Sequence, residues 1–137
     1  ESGDLVTGAY IDEIIKQYQK QYRIMTEIEH LTGELESAIQ ANDHVSIQLV
    51  LEMRQQAIHE MEACRRAVII LIDSIPVEQS GHIKGLLNKA DDDIPGNEQE
   101  ELLREKSYKV YEIVRHVIEM DRKLSLKTAG KDSFYYT

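Results

Sequence analysis

Apolar positions recur at steps of three and four along most of the chain. From the N-terminal side the first such stripe is Ile11, Ile14, Tyr18, Tyr22, Met25, Ile28, Leu31, Leu35 and Ile39, eight steps over 28 residues, an average of 3.5. That period belongs to a coiled-coil-like seam rather than to the 3.6 of a straight surface helix. Gln, Lys and Glu fill the opposite face. The spacing predicts a helix over about 9–40, on the order of 45 Å long, with the first ten residues as a poorly ordered lead-in. Gly33 is a mild defect in it, costing ~1 kcal/mol relative to Ala.

A second stripe follows almost at once: Val50, Met53, Ala57, Met61, Cys64, Val68, Leu71 and Ile75. Between the two stripes Asn42 and Asp43 suit a tight turn and then an N-cap, since a short side-chain oxygen can accept from the unpaired N–H groups of the next helix. The predicted second helix runs over about 43–75 and stops at Pro76, whose ring disfavours helix in the residue before it. Long helices joined by so short a connection must lie antiparallel. The run AVIILI at 67–72 is apolar all round and needs cover on several faces. The segment 77–89, with Val77, Ile83, Leu86 and Leu87, reads as a short helix folding back over it, although Gly81 and Gly85 weaken that element.

Residues 90–97, ADDDIPGN, form a loop. Asn97 followed by Glu100 has the spacing of a capping box, opening a last long helix over about 98–127. Its stripe is Leu102 or Leu103, Val110, Ile113 or Val114, Val117, Met120 and Leu124. Acid–base pairs four apart (Glu100–Arg104, Glu105–Lys109, Glu119–Lys123) add a few tenths of a kcal/mol each. Gly130 suits a terminator, and an aromatic tail, 131–137, ends in KDSFYYT. The expected fold is all-α: a long antiparallel helical hairpin with a third long helix, a coiled-coil-like bundle of three to four helices in one domain.

Composition narrows the function classes. The 137 residues are 42% hydrophobic and 30% charged, with a net charge of −9, so the surface repels phosphate backbones and anionic lipid. Nucleic acid is not an expected partner. The longest apolar run, six residues at 67–72, is far below the ~20 of a membrane span. One cysteine, Cys64, cannot form an internal disulfide and falls on the apolar stripe, which fits a reducing, cytoplasmic setting. ESGDLVTGAY has neither the basic region nor the apolar run of a signal peptide; the chain starts without Met, so its true N-terminus stays open.

Candidate chemistry is thin. Asp91, Asp93 and Gly96 match positions 1, 3 and 6 of an EF-hand loop, but Pro95 and Leu102 stand where oxygen ligands are required. Glu27-Ile28-Glu29-His30 has the E-x-x-H spacing of di-iron bundles. His116 lacks the matching acid, because Glu112 is four residues back, and His30 lies off the stripe. His59-Glu60 is followed by Ala63 rather than a second His, so no zincin motif is formed. Neither His44 nor His82 has a co-ligand nearby in sequence. No P-loop, dinucleotide fingerprint or nucleophile elbow occurs. No metal, no cofactor and no catalysis are expected.

Taken together, Ala41 and Asp43 at the turn, then Val50-Leu51-Glu52-Met53-Arg54-Gln55, Ala57-Ile58 and Met61, resemble the flagellar type III export chaperones, the FlgN type first and the related FliT type second. In that family a short turn containing Asp leads into an L-x-x-x-R-x-x-L/I-x-x-I/L helix. The match covers roughly 11–72 by pattern and the remainder by length and charge. The resemblance implies a cytoplasmic chaperone that holds hook-associated or filament-cap subunits before export, binding an amphipathic helix of the client in a groove of the hairpin. It places partner binding on the last helix and tail: Tyr108, Tyr111, Val117, Met120, Leu124, Phe134, Tyr135 and Tyr136. The export apparatus and a second copy of the chain stay open as further partners. A generic helical adaptor or dimerising coiled-coil module is the alternative, and a metal-dependent bundle enzyme is the third.

Overall fold

A computed structural model of the chain describes residues 2–88 and 93–128. Four helices follow in order: α1, Ser2–Gln40; α2, His44–Asp73; α3, Val77–Leu87; and α4, Glu98–Thr128. There is no strand among the described residues, and the AVIILI run is helical throughout. The fold is an all-α bundle.

Its geometry follows from the chain's punctuation. At the end of α1, Asn42 takes a φ of 56°, Asp43 N donates to Ala38 O at 3.0 Å and Asn42 N donates to Ile39 O at 3.0 Å. This is a Schellman termination with Asn in the left-handed position. Asp43 then serves the next helix as N-cap: its carboxylate accepts from Ser46 N at 3.2 Å and from Ser46 Oγ at 2.6 Å. One turn thus ends α1, starts α2 and reverses the chain. Ser74 closes α2, its Oγ donating to Ile70 O at 2.8 Å, and Pro76 opens α3 as its N-cap. Asn97 caps α4 by accepting from Glu100 N at 2.8 Å. Glu100 reaches back to Gly96 N at 2.8 Å, one residue earlier than in the standard capping box.

The core is built in three storeys along α1. At its N-terminal end Ile11, Ile14 and Ile15 meet Val68, Ile72 and Ile75 of the α2 end, Ile83 and Leu86 of α3, and Leu103 of α4. In the middle Ile24, Met25 and Ile28 meet Ala57, Met61, Cys64, Val110 and Val117. At the far end Leu31, Leu35 and Ala38 meet Ile47, Val50 and Leu124. Along α1, therefore, α2 residue numbers fall and α4 numbers rise: α2 is antiparallel to α1, and α4 runs parallel to it. Polar pairs hold the α1–α4 register at three heights. Gln99 Nε2 donates to Gly8 O and Asp12 Oδ1, at 2.8 and 2.7 Å; His116 lies 3.3 Å from Glu29; Lys127 lies 3.1 Å from Glu36.

Several expectations are corrected. α1 begins at Ser2 and not near residue 9, because its first turns are held from outside: Thr7 is buried, donates to Gln79 Oε1 of α3, and Gly8 bonds to α4 as above. Tyr22 and Met53 are exposed although the apolar stripes contain them, whereas Gln21 and Thr32 are buried. α1 packs on two helices at once, so its buried face is wider than one seam and takes in polar residues between the apolar ones. α3 covers only one side of the AVIILI run. Ile83 and Leu86 reach the core, but Ile69 and Ile70 remain 59% and 65% exposed, and Val77 points outward.

Candidate functional site: an apolar groove between α2 and α4

α2 and α4 each pack along α1 and scarcely meet each other. A four-helix bundle fills that angle with a further helix; here it is an open trough of about 690 Å³. Its floor is the α1 line Tyr18, Gln21, Met25 and Ile28. One wall is α2, with Ile58, Met61, Arg65, Val68, Ile69 and Ile72. The other wall is α4, with Val110, Tyr111, Val114 and Val117. Lys84 and Leu87 of α3, with Asn88 just after it, shut one end. The helical period explains the walls. On α2, Ile58, Arg65 and Ile69 lie beside the buried line of Met61, Val68 and Ile72; on α4, Tyr111 and Val114 lie beside Val110 and Val117. Each helix thus carries a second, largely apolar line that is only partly covered: Ile58 and Val114 are half-buried against the middle core storey, while Ile69 and Tyr111 stay exposed.

A polar tie crosses the end opposite α3. Thr32 Oγ1 donates to Ile28 O at 2.7 Å and accepts from Arg54 Nε at 3.1 Å. Arg54 Nη2 in turn donates to Asp121 Oδ2 at 2.5 Å. One guanidinium on α2 so links α1 to α4, with the Arg54 side chain only 11% exposed and Asp121 31%. Asp121 Oδ1 is buried with no partner among the described residues, and the carboxylate is held through Oδ2 by Arg54. Truncating either member would cost about 1–3 kcal/mol, less than for a fully buried pair. The tie fixes how far α4 stands from α2, and hence the width of the groove.

Charge within the groove differs from that of the whole. The lining carries Arg54, Arg65 and Lys84 against the single carboxylate Glu62, in a chain of net charge −9. Tyr18, on the floor, has its hydroxyl pKa raised by burial, with the nearby Arg65 charge acting the other way.

The residues assigned to partner binding from the sequence are distributed unevenly. Tyr111 and Val117 line the groove, Tyr111 at 46% exposure with Arg115 stacked 5.8 Å from its ring. Val117 is buried there, part of the middle core storey. Tyr108 lines a separate depression of similar volume, about 710 Å³, with Tyr22, Thr26 and Ile113, and Arg104 lies 5.5 Å from its ring. Met120 is half-buried. Leu124 is 2% exposed, packed on Leu31 and Leu35, so it anchors α4 rather than offering a surface. Phe134, Tyr135 and Tyr136 lie outside the described residues. The α2 wall and the α1 floor lie outside the partner-binding set that the resemblance implies. The exposed isoleucines of an all-apolar turn were the available signal for the wall.

Other candidates go elsewhere. His82 is held between Glu100, at 2.7 Å, and Asp93, at 3.4 Å; hydrogen bonding to Glu100, with help from Asp93, raises its pKa. His30 pairs with Glu34 at 3.0 Å on the exposed side of α1. Cys64 is buried. Among the described residues no group of three or more His, Cys, Asp or Glu side chains could hold a metal ion, and no helix is long and apolar enough to cross a membrane. Asp91 lies outside the described residues. Comparison with protein families, with curated proteins and with solved structures gives no match for this chain.

Proposed function

We propose that this chain is a binding protein without catalysis, a cytoplasmic chaperone of the flagellar export type that takes an amphipathic helix of its client into the α2–α4 groove. The observation that carries the reading is the open side of the bundle: between the tie at Arg54–Asp121 and the α3 end, the apolar faces of α2 and α4 stand apart over α1 with no further element between them among the described residues. A client helix laid there would complete the bundle, burying its own apolar face against Ile58, Ile69, Tyr111 and Val114 at ~25 cal/mol per Å² before the cost of ordering. The resemblance of the 41–61 stretch to the FlgN and FliT types supplies the client class, hook-associated or filament-cap subunits. A helical adaptor with other clients would use the same groove.

The test is co-purification with hook-associated and filament-cap subunits, comparing the natural chain with Ile69→Asp and Val77→Asp. Both positions are exposed, so neither change should unfold the protein, but only Ile69 lines the groove. Retention of a flagellar subunit by the natural chain and by Val77→Asp, with loss in Ile69→Asp, is the expected result. Binding of unrelated amphipathic helices but of no flagellar subunit would leave the adaptor in its place. Equal binding by all three proteins would remove the groove from consideration.

A further inference from the structure

Resting on the groove reading above, we infer that the occupant is a helical polypeptide segment of about five turns that carries acidic side chains at the end lying against α3, where Arg65 and Lys84 receive them. The length comes from the α2 wall, which runs from Arg54 to Ile72, about 27 Å at 1.5 Å per residue. The charge comes from the lining. Arg54 is committed to Asp121. Neither Arg65 nor Lys84 is paired with a carboxylate among the described residues, although the chain carries 25 acidic residues against 16 basic ones. With Arg54 neutralised by Asp121, the groove lining keeps two basic side chains, Arg65 and Lys84, against the single carboxylate Glu62, a local positive character in an acidic chain that an acidic ligand complements.

Their placement also sets an orientation. Lys84 belongs to α3, which packs at the Val68–Ile72 end, and Arg65 is one turn of α2 from Val68. Glu62, one turn further, marks where the client should turn neutral or basic. Acids at the α3 end and none beyond Glu62 give the client a single preferred direction, because the reversed helix would set its acids near Glu62 and away from Arg65 and Lys84. Residues 129–137 of this chain carry one Lys and one Asp, so the charge pattern does not favour the chain's own tail as occupant.

Three synthetic helical peptides test this, each of five turns with one leucine face: one with two Glu at a single end, one with two Lys there, one with neutral Gln. Fluorescence anisotropy at about 20 mM salt should rank them Glu, Gln, Lys, with about tenfold between the extremes, shrinking to about twofold at ~0.5 M salt as the charges are screened. The double variant Arg65→Glu, Lys84→Glu, checked for unchanged helicity, should invert the order. Equal affinities for the three peptides would overturn the charge assignment while leaving the groove as a helix site. Binding of none of them would overturn the groove reading together with the inference. A protein ended at Thr128 that gained affinity for all three peptides alike would assign the groove to the chain's own tail. A dimer that excluded all three would assign it to a second copy. Either result would overturn the inference.

Discussion

Gly33 and Gly85 both stand inside helices, yet a methyl group added at each would meet different surroundings. Around Gly33, apart from its own helix backbone and chain neighbours, no atom of the described residues lies within 4 Å of where a Cβ would sit. A Cβ on Gly85, which is buried in α3, would run into the Asp93 carboxylate. Gly33→Ala should therefore stabilise the protein by about 0.5–1 kcal/mol through the lower entropy of the unfolded chain, whereas Gly85→Ala should destabilise it and loosen the Asp93–His82 contact. Urea unfolding of the two variants checks this, and the same sign at both positions would contradict it. In the sequence Gly33 and Gly85 both read as helix-weakening; only the contact between α3 and the Asp93 loop separates them. The same limit applies to Gln21 and Thr32. A stripe traced through apolar residues alone passes over both, although Thr32 is 1% exposed and has its hydroxyl bonded in both roles.

Among the elements, α3 is the smallest and the one whose attachment is most polar. Ile83 and Leu86 seat it in the core, while His82 joins it to the Asp93 loop and to Glu100 in the first turn of α4. The pKa of His82 is raised above its ordinary 6.5 by these carboxylates. For a group raised in the folded state, the stabilisation is complete below the ordinary value and disappears as pH rises through the raised one. The α3–α4 junction should thus weaken on going from mildly acidic to mildly alkaline pH. The effect should be under about 1 kcal/mol, since the histidine is well exposed to water. His82→Gln should flatten that slope, measured as denaturant midpoints across the range; an unchanged slope would clear His82 of the role. The helix ends were largely legible, because Asn42, Asp43, Pro76 and Asn97 act through local chemistry that sequence records directly. α1 starts earlier than its periodicity suggests because Thr7 and Gly8 are held by residues more than 70 positions away.

For the whole molecule the decisive feature is that α1 has a long neighbour on each side, while α2 and α4 have only α1 between them. Hydrophobic periodicity states which face of a helix is apolar, but not whether two apolar faces meet; the groove was hidden for that reason, and the exposed Ile69 and Tyr111 were its traces. An arrangement of this kind should not open uniformly. Releasing α4 breaks its contacts to α1 and α3 and the Arg54–Asp121 tie to α2 but leaves the hairpin paired, so its opening costs less than global unfolding. Native-state hydrogen exchange should then show lower protection over α4 than over the middle of α1 and α2, most of all near Tyr111 and Val114, where α4 lines the open side. A ligand filling the groove at about a hundred times its dissociation constant would add about 2.7 kcal/mol to the bound form, and the gain should fall on α4 and the facing turns of α2. Protection over α4 equal to that of α1 before any ligand is added would mean that the open side costs the bundle nothing. The groove would then be a passive furrow, and the case for an absent helix would lose its energetic basis.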